Sequence, residues 1–154
     1  MSHEGSTTLH DEPTVLEDIA VVCETHVGKK RSENQDRVDA LSFPQGAVLM
    51  VADGMGGHVG GAAASETAVA FMGAALTPEH GFHRSDMETV FRAMADNVSE
   101  TAPDGGTTLV VAVVSEGVLE VWHVGDSRAY LLRDGALMRI TADHSWVQGL
   151  VDAG

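Results

Sequence analysis

The order of apolar patterns in this sequence predicts an α+β fold in which two helices pack on one face of antiparallel sheet. Strand-like runs come first, two helical patterns follow, and four more strand-like runs come after them. Those four are separated only by "EG", "DSR" and "RDG", which suits an antiparallel meander and not the regular alternation of a doubly wound sheet.

Residues 1–18, "MSHEGSTTLHDEPTVLED", lack a basic start and an apolar stretch, and read as a solvated tail. The domain then runs over 19–154. "IAVVCETHVG", Ile19 to Gly28, reads as a strand, "KKRSENQD" as a polar loop, "RVDALSF" as a short strand and "GAVLMVADG" as a central one. Within the last, Val48 to Ala52 is continuously apolar, the pattern of a strand buried on both faces, so Asp53 and Gly54 fall at its end.

From His58 to Leu76 the residues are small, then apolar at Val69, Phe71, Met72 and Leu76, as in a helix lying close on a sheet, with Gly60 and Gly61 weakening its first turn. Met87, Val90, Phe91, Met94 and Val98 form an apolar stripe at helical spacing between Ser85 and Ser99. Ser85 suits the N-cap, with Glu88 as its capping-box partner. "TTLVVAVVS", "VLEVWHVGDS", "RAYLLRDG" and "ALMRITADHS" complete the strands, with turns at Glu116-Gly117 and Asp134-Gly135.

With 154 residues, 44% of them hydrophobic, the chain can bury one core. A formal charge of -14, from 23 acidic and 9 basic residues, excludes a general nucleic-acid or anionic-membrane binder, which needs a positive field. The longest apolar run, Ala68 to Leu76, falls short of the roughly 18 residues of a membrane span. The single cysteine, Cys23, permits no internal disulfide and reads as a packed thiol, so a cytoplasmic setting is expected.

Asp36, Asp53 and Asp126 each sit at or beside a strand end, where convergent strands can bring them together. Clustered carboxylates repel unless a cation lies between them, and an oxygen-only set selects Mg²⁺ or Mn²⁺ over zinc. Gly54 allows its carbonyl to approach such a cation closely. "DGMGGHVGG" lacks the Gly-Lys-Ser/Thr end of a Walker loop and misses dinucleotide spacing. Read singly, Asp-Gly makes turns, and Lys29-Lys30-Arg31 is a solvated basic run.

"RSENQDR", "VADGMGGHVGGAAAS", "GGTTLVV", "VWHVGDSRAYLLRDG" and "ITADHSWVQGLVDAG" occur in the order of the type 2C, metal-dependent serine/threonine phosphatases, and the chain resembles their bacterial form from Ile19 to Gly154. The resemblance implies part of an α-β-β-α sandwich, two antiparallel sheets flanked by helix pairs, with C-terminal strands and helices missing along with two further metal-binding aspartates. It implies two Mn²⁺ or Mg²⁺ ions, with room for a third. Asp53 would bridge the pair, Gly54 would offer its carbonyl, Asp36 would support the second ion largely through water, and Asp126 would belong to the third. Gln35 stands where some members carry glutamate. Arg31 would clamp the substrate phosphate, since a guanidinium binds two oxygens at once.

The general acid is open: Met55 stands where some members have histidine, and His58 is the candidate. His123 and Trp122 read as packing residues, Thr107 and Thr108 as strand packing near the site, and Asp143 with His144 as a cap on a following helix. The partners implied are phosphorylated proteins, the substrates of a serine/threonine kinase, with self-association open to uncovered sheet edges. For these 154 residues alone the expectation is weak or absent turnover, and a non-catalytic phosphoprotein-binding domain is the competing reading.

Overall fold

The computed structural model describes residues 14–16, 19–43, 46–56, 60–76 and 86–144. Strands β1 (Thr14–Leu16) and β2 (Ile19–Val21) pair antiparallel, so part of the stretch read as tail lies in a strand. Next come β3 (Asp36–Phe43), β4 (Gly46–Met55), helix α1 (Gly60–Ala75), helix α2 (Met87–Thr101), β5 (Gly106–Thr107), β6 (Leu109–Ser115), β7 (Val118–Val124), β8 (Tyr130–Arg133) and β9 (Ala136–Arg139). The main sheet runs β3-β4-β6-β7 with β5 on the far end of β4, every pair antiparallel, and β8-β9 is a separate hairpin.

Both predicted turns are formed. Glu116, Gly117, Asp134 and Gly135 all have positive φ, the signature of type I′ hairpins, whose twist matches that of the strands they join. The strand expected from Ile19 to Gly28 stops at Val21. Beyond it local side-chain bonds replace a ladder: Asn34 Nδ2 donates to Thr25 Oγ1 at 2.9 Å, and the Gly28 amide donates to His26 Nδ1 at 2.8 Å.

α1 packs on β4 and α2 on α1. Val48, Met50 and Ala52 of β4 and Leu109, Val111 and Val113 of β6 point at the helices, meeting Ala64, Ala68 and Met72 of α1 and Met87, Met94 and Val98 of α2. Each larger side chain so buried contributes about 1.5–3 kcal/mol. Val90 and Phe91 border this core, as the helical stripe predicts, while Ser85 lies outside the described residues and Asp86 occupies the N-cap without a capping bond from its side chain. The expectation that β4 is buried on both faces is corrected: Leu49 is half-buried and Val51 is 45% exposed, because both helices lie on the opposite face. Cys23 is half-buried, and burial followed by Asp39 pushes its thiol up, away from the reactive thiolate. Among the described residues no helix is long and apolar enough to cross a membrane.

Candidate active site

β4 does not end at Asp53. It runs on to Met55 because β5 takes over its pairing there, Gly54 opposite Thr107 and Met55 opposite Gly106. The register of β3 on β4 sets Asp36 directly across from Asp53. Directly opposed like charges destabilise an antiparallel pair. Burial pushes the Asp53 carboxyl above its ordinary range, with Asp36 and Asp126 adding to the effect and Arg31 opposing it.

A cavity of about 150 Å³ opens over this pair, lined by Arg31, Asp36, Asp53 and Gly54 together with His26 and Asn34. Four of the positions singled out in the sequence thus share one cavity. Asp126 is exposed and near enough to Asp53 to act on its charge, but is not part of the lining. His58 lies outside the described residues.

Asp53 is held by its backbone. Its amide donates to Thr108 Oγ1 at 3.1 Å, and its carbonyl accepts from the Thr108 amide at 2.9 Å and from Thr107 Oγ1 at 3.1 Å. Thr108, only 1% exposed, also shares a 2.6 Å hydrogen bond with Ser127, the neighbour of Asp126. These threonines do more than pack: they tie two acidic strand ends together. Gly125, at φ +93°, passes so close to Thr108 that a Cβ would lie 2.7 Å from Cγ2.

On the β3 side, the Gln35 carbonyl accepts from the Gly54 amide at 3.0 Å and from Ser65 Oγ at 2.6 Å, which locks α1 to both strands beside the cavity. The absence of a side chain at Gly54 has a packing cause beyond any approach to a cation, since a Cβ there would collide with the carbonyls of Gly61 and Gln35. Gly60 and Gly61 likewise do more than weaken a helix start: Gly105 lies against Gly60, and Gly61 against Gly54.

Asp143 accepts from Arg128 Nε at 3.0 Å and Nη2 at 2.6 Å, with Arg139 at 3.5 Å. The His144 amide donates to the Gly125 carbonyl at 2.9 Å, and its ring stacks on His123 at 4.4 Å. These contacts clamp the 125–128 loop that carries Asp126; the stretch they were expected to cap lies outside the described residues. Trp122 borders the core as expected, whereas His123 packs against the other histidine, and burial followed by His144 favours its neutral form.

Hydrogen bonding from Arg128 holds the Asp143 carboxyl below its ordinary 3.8, against a lesser opposing effect of burial. The folded group therefore titrates below the unfolded one, and the stability it contributes is complete above about pH 5 and lost as pH falls through the folded value. The gap in melting temperature between the protein and Asp143→Asn is expected to be constant from about pH 7 to pH 5 and to close on further acidification. A gap that widened in acid would contradict the clamp.

The donor set fits a hard divalent cation: carboxylate and carbonyl oxygens, an excess of negative charge, and a carboxyl whose charge is disfavoured by burial and by its acidic neighbours. Among the described residues no three His, Cys, Asp or Glu side chains surround a single point, so Asp36 and Asp53 alone would supply only part of a coordination shell.

A family model described as "Protein phosphatase 2C" matches residues 24–147. The serine/threonine protein phosphatase PstP of Mycobacterium tuberculosis is 37% identical over 134 residues, covering 82% of this chain and 25% of that protein. The serine/threonine phosphatase stp of Listeria monocytogenes is 35% identical over 148 residues, covering 84% and 56%. Among solved structures, the catalytic domain of PstP in complex with two manganese ions aligns with a TM-score of 0.69 at 36% identity, over 84% of this chain and 58% of that one. The S. agalactiae serine/threonine phosphatase aligns with a TM-score of 0.71 at 29% identity, over the same shares. The chain thus spans between a quarter and somewhat over half the length of these relatives.

Proposed function

The chain belongs to the protein phosphatase 2C family, and from that premise we propose that the whole domain hydrolyses phosphoserine and phosphothreonine in proteins. The observation that carries this reading is the opposition of Asp36 and Asp53 in the lining of a cavity that also presents Arg31. Phosphate monoesters hydrolyse so slowly unaided that attack, charge neutralisation and orientation must all be supplied.

Asp53, Asp36 and the Gly54 carbonyl would hold Mn²⁺ or Mg²⁺, with Asp126 beside a further ion. Such ions, when bound, supply a water activated at neutral pH and positive charge for the phosphoryl oxygens. Arg31 binds two of those oxygens and fixes the phosphorus relative to the carboxylates. Thr108 and Ser127 keep Asp53 and Asp126 from drifting apart. The leaving oxygen would take its proton from His58 or from water.

The expected substrates are phosphoproteins made by a serine/threonine kinase. A cytoplasmic setting suits the lone, half-buried Cys23. β3 and β7, the outer strands of the main sheet, offer edges through which copies can associate. The partial coordination shell favours a second reading for these residues alone, a phosphoprotein-binding domain that retains Arg31 without turnover.

The test is phosphate release from a phosphothreonine peptide, with Mn²⁺ or with chelator, by the protein and by Arg31→Ala. Slow Mn²⁺-dependent release, reduced about 100-fold or more by the substitution, is the expected result. Retention of the phosphopeptide by Arg31 with no release would select the binding reading. Release that persists in chelator would overturn both.

A further inference from the structure

We propose that His26 is a substrate-binding residue, donating a hydrogen bond from Nε2 to a phosphoryl oxygen beside Arg31; this rests on the phosphatase reading above. His26 precedes the basic run by three positions and belongs to the stretch that fails to form a strand. It nevertheless lines the same cavity as Arg31, Asp36 and Asp53.

The orientation of the ring comes from Gly28. Its amide donates to His26 Nδ1 at 2.8 Å, and the chain then leaves the turn at φ +75°. A ring nitrogen that accepts an N–H carries no proton, so the imidazole proton lies on Nε2. Side chains other than glycine rarely adopt this backbone conformation, although nothing lies within 4 Å of a Cβ built there, so the glycine serves the turn and not a close contact.

The charge balance of the cavity gives this donor its use. Glu33, Asp36 and Asp53 line it against the single guanidinium of Arg31. A phosphomonoester brings two more negative charges and three terminal oxygens, of which a bidentate Arg31 satisfies two. A neutral N–H on the same rim serves the third and competes with no cation for the carboxylates. The Gly28 bond also argues against His26 as the leaving-group acid, because an imidazolium carries a proton on Nδ1 and cannot accept that amide.

The test is titration of the protein with inorganic phosphate in Mg²⁺, read from the Gly28 amide resonance, which the parent and every variant share. Asparagine keeps an acceptor at the position of Nδ1 and lacks the outer donor, while glutamine places an amide nitrogen near the position of Nε2. His26→Asn is expected to weaken phosphate binding about tenfold, His26→Gln to stay within about threefold, and Arg31→Ala to weaken it by more than about thirtyfold. If Arg31→Ala weakens binding and His26→Asn stays within twofold of the parent, the role of His26 is overturned and the phosphatase reading stands. If no titration saturates, or Arg31→Ala has no effect, both are overturned.

Discussion

Gly54→Ala is expected to lower stability by about 3 kcal/mol or more, at the upper end of the overpacking range, although only one methyl group is added. The new Cβ would meet the Gly61 carbonyl on one side and the Gln35 carbonyl on the other. Both obstacles are backbone, so no rotamer change relieves them. Either the first turn of α1 lifts off β4 or the start of β3 moves, and each shift breaks the bonds that the Gln35 carbonyl accepts from the Gly54 amide and Ser65. For a chain of this size the loss corresponds to a fall in melting temperature of about 6–12 °C. Gly73→Ala is the matched control. Its Cβ would lie 3.8 Å from Met50 Cε, an ordinary contact, and the helical position favours alanine, so its melting temperature should stay level or rise. Equal behaviour of the two variants would mean that the close approach of β4 and α1 is not as described.

What could be read in the sequence was what short-range chemistry determines. The paired turn residues at 116–117 and 134–135 admit little besides a hairpin, and the stripe from Met87 to Val98 admits little besides a helix. Asp36 and Asp53 could be placed near one another because each adjoins an apolar run, but their direct opposition is a matter of register. Ser65 contributes to that register through the Gln35 carbonyl, 30 positions away. The links that hold the site were hidden for the same reason. Thr108 reaches across 55 positions to Asp53 and 19 to Ser127, and Arg128 reaches 15 to Asp143, with no local pattern to mark them.

His26 was missed because the run from Ile19 to Gly28 reads as a strand. The signal that could have found it is the spacing of a side-chain acceptor two residues before a glycine, the pattern of a local turn. Val48 to Ala52 misled in the opposite sense. A continuous apolar run measures the affinity of both faces for a neighbour, and the helices supply a neighbour for only one of them.

In the metal-free protein Asp53→Asn is expected to melt at a higher temperature than the parent, and an excess of Mn²⁺ is expected to reverse that order. The Asp53 carboxylate is costly where it stands: partial burial, Asp36 opposite and Asp126 nearby all resist its charge, and Arg31 offsets only part. An amide of the same shape removes that cost. Because the folded carboxyl titrates above its ordinary 3.8, stability is lost as pH rises through the folded value, so the advantage of the amide appears at neutral pH and vanishes well below pH 4. Mn²⁺ supplied at about 100 times its dissociation constant stabilises the parent by about 2.7 kcal/mol, or about 5–10 °C, and the variant by far less. Melting curves of both proteins with Mn²⁺ and with chelator decide the matter. If the metal raised both melting temperatures equally, the ion would be bound elsewhere; if Asp53→Asn melted lower without metal, the repulsion inferred between these strand ends would be wrong. The crossing expected here is what a site arranged for a cation and not for its own stability requires.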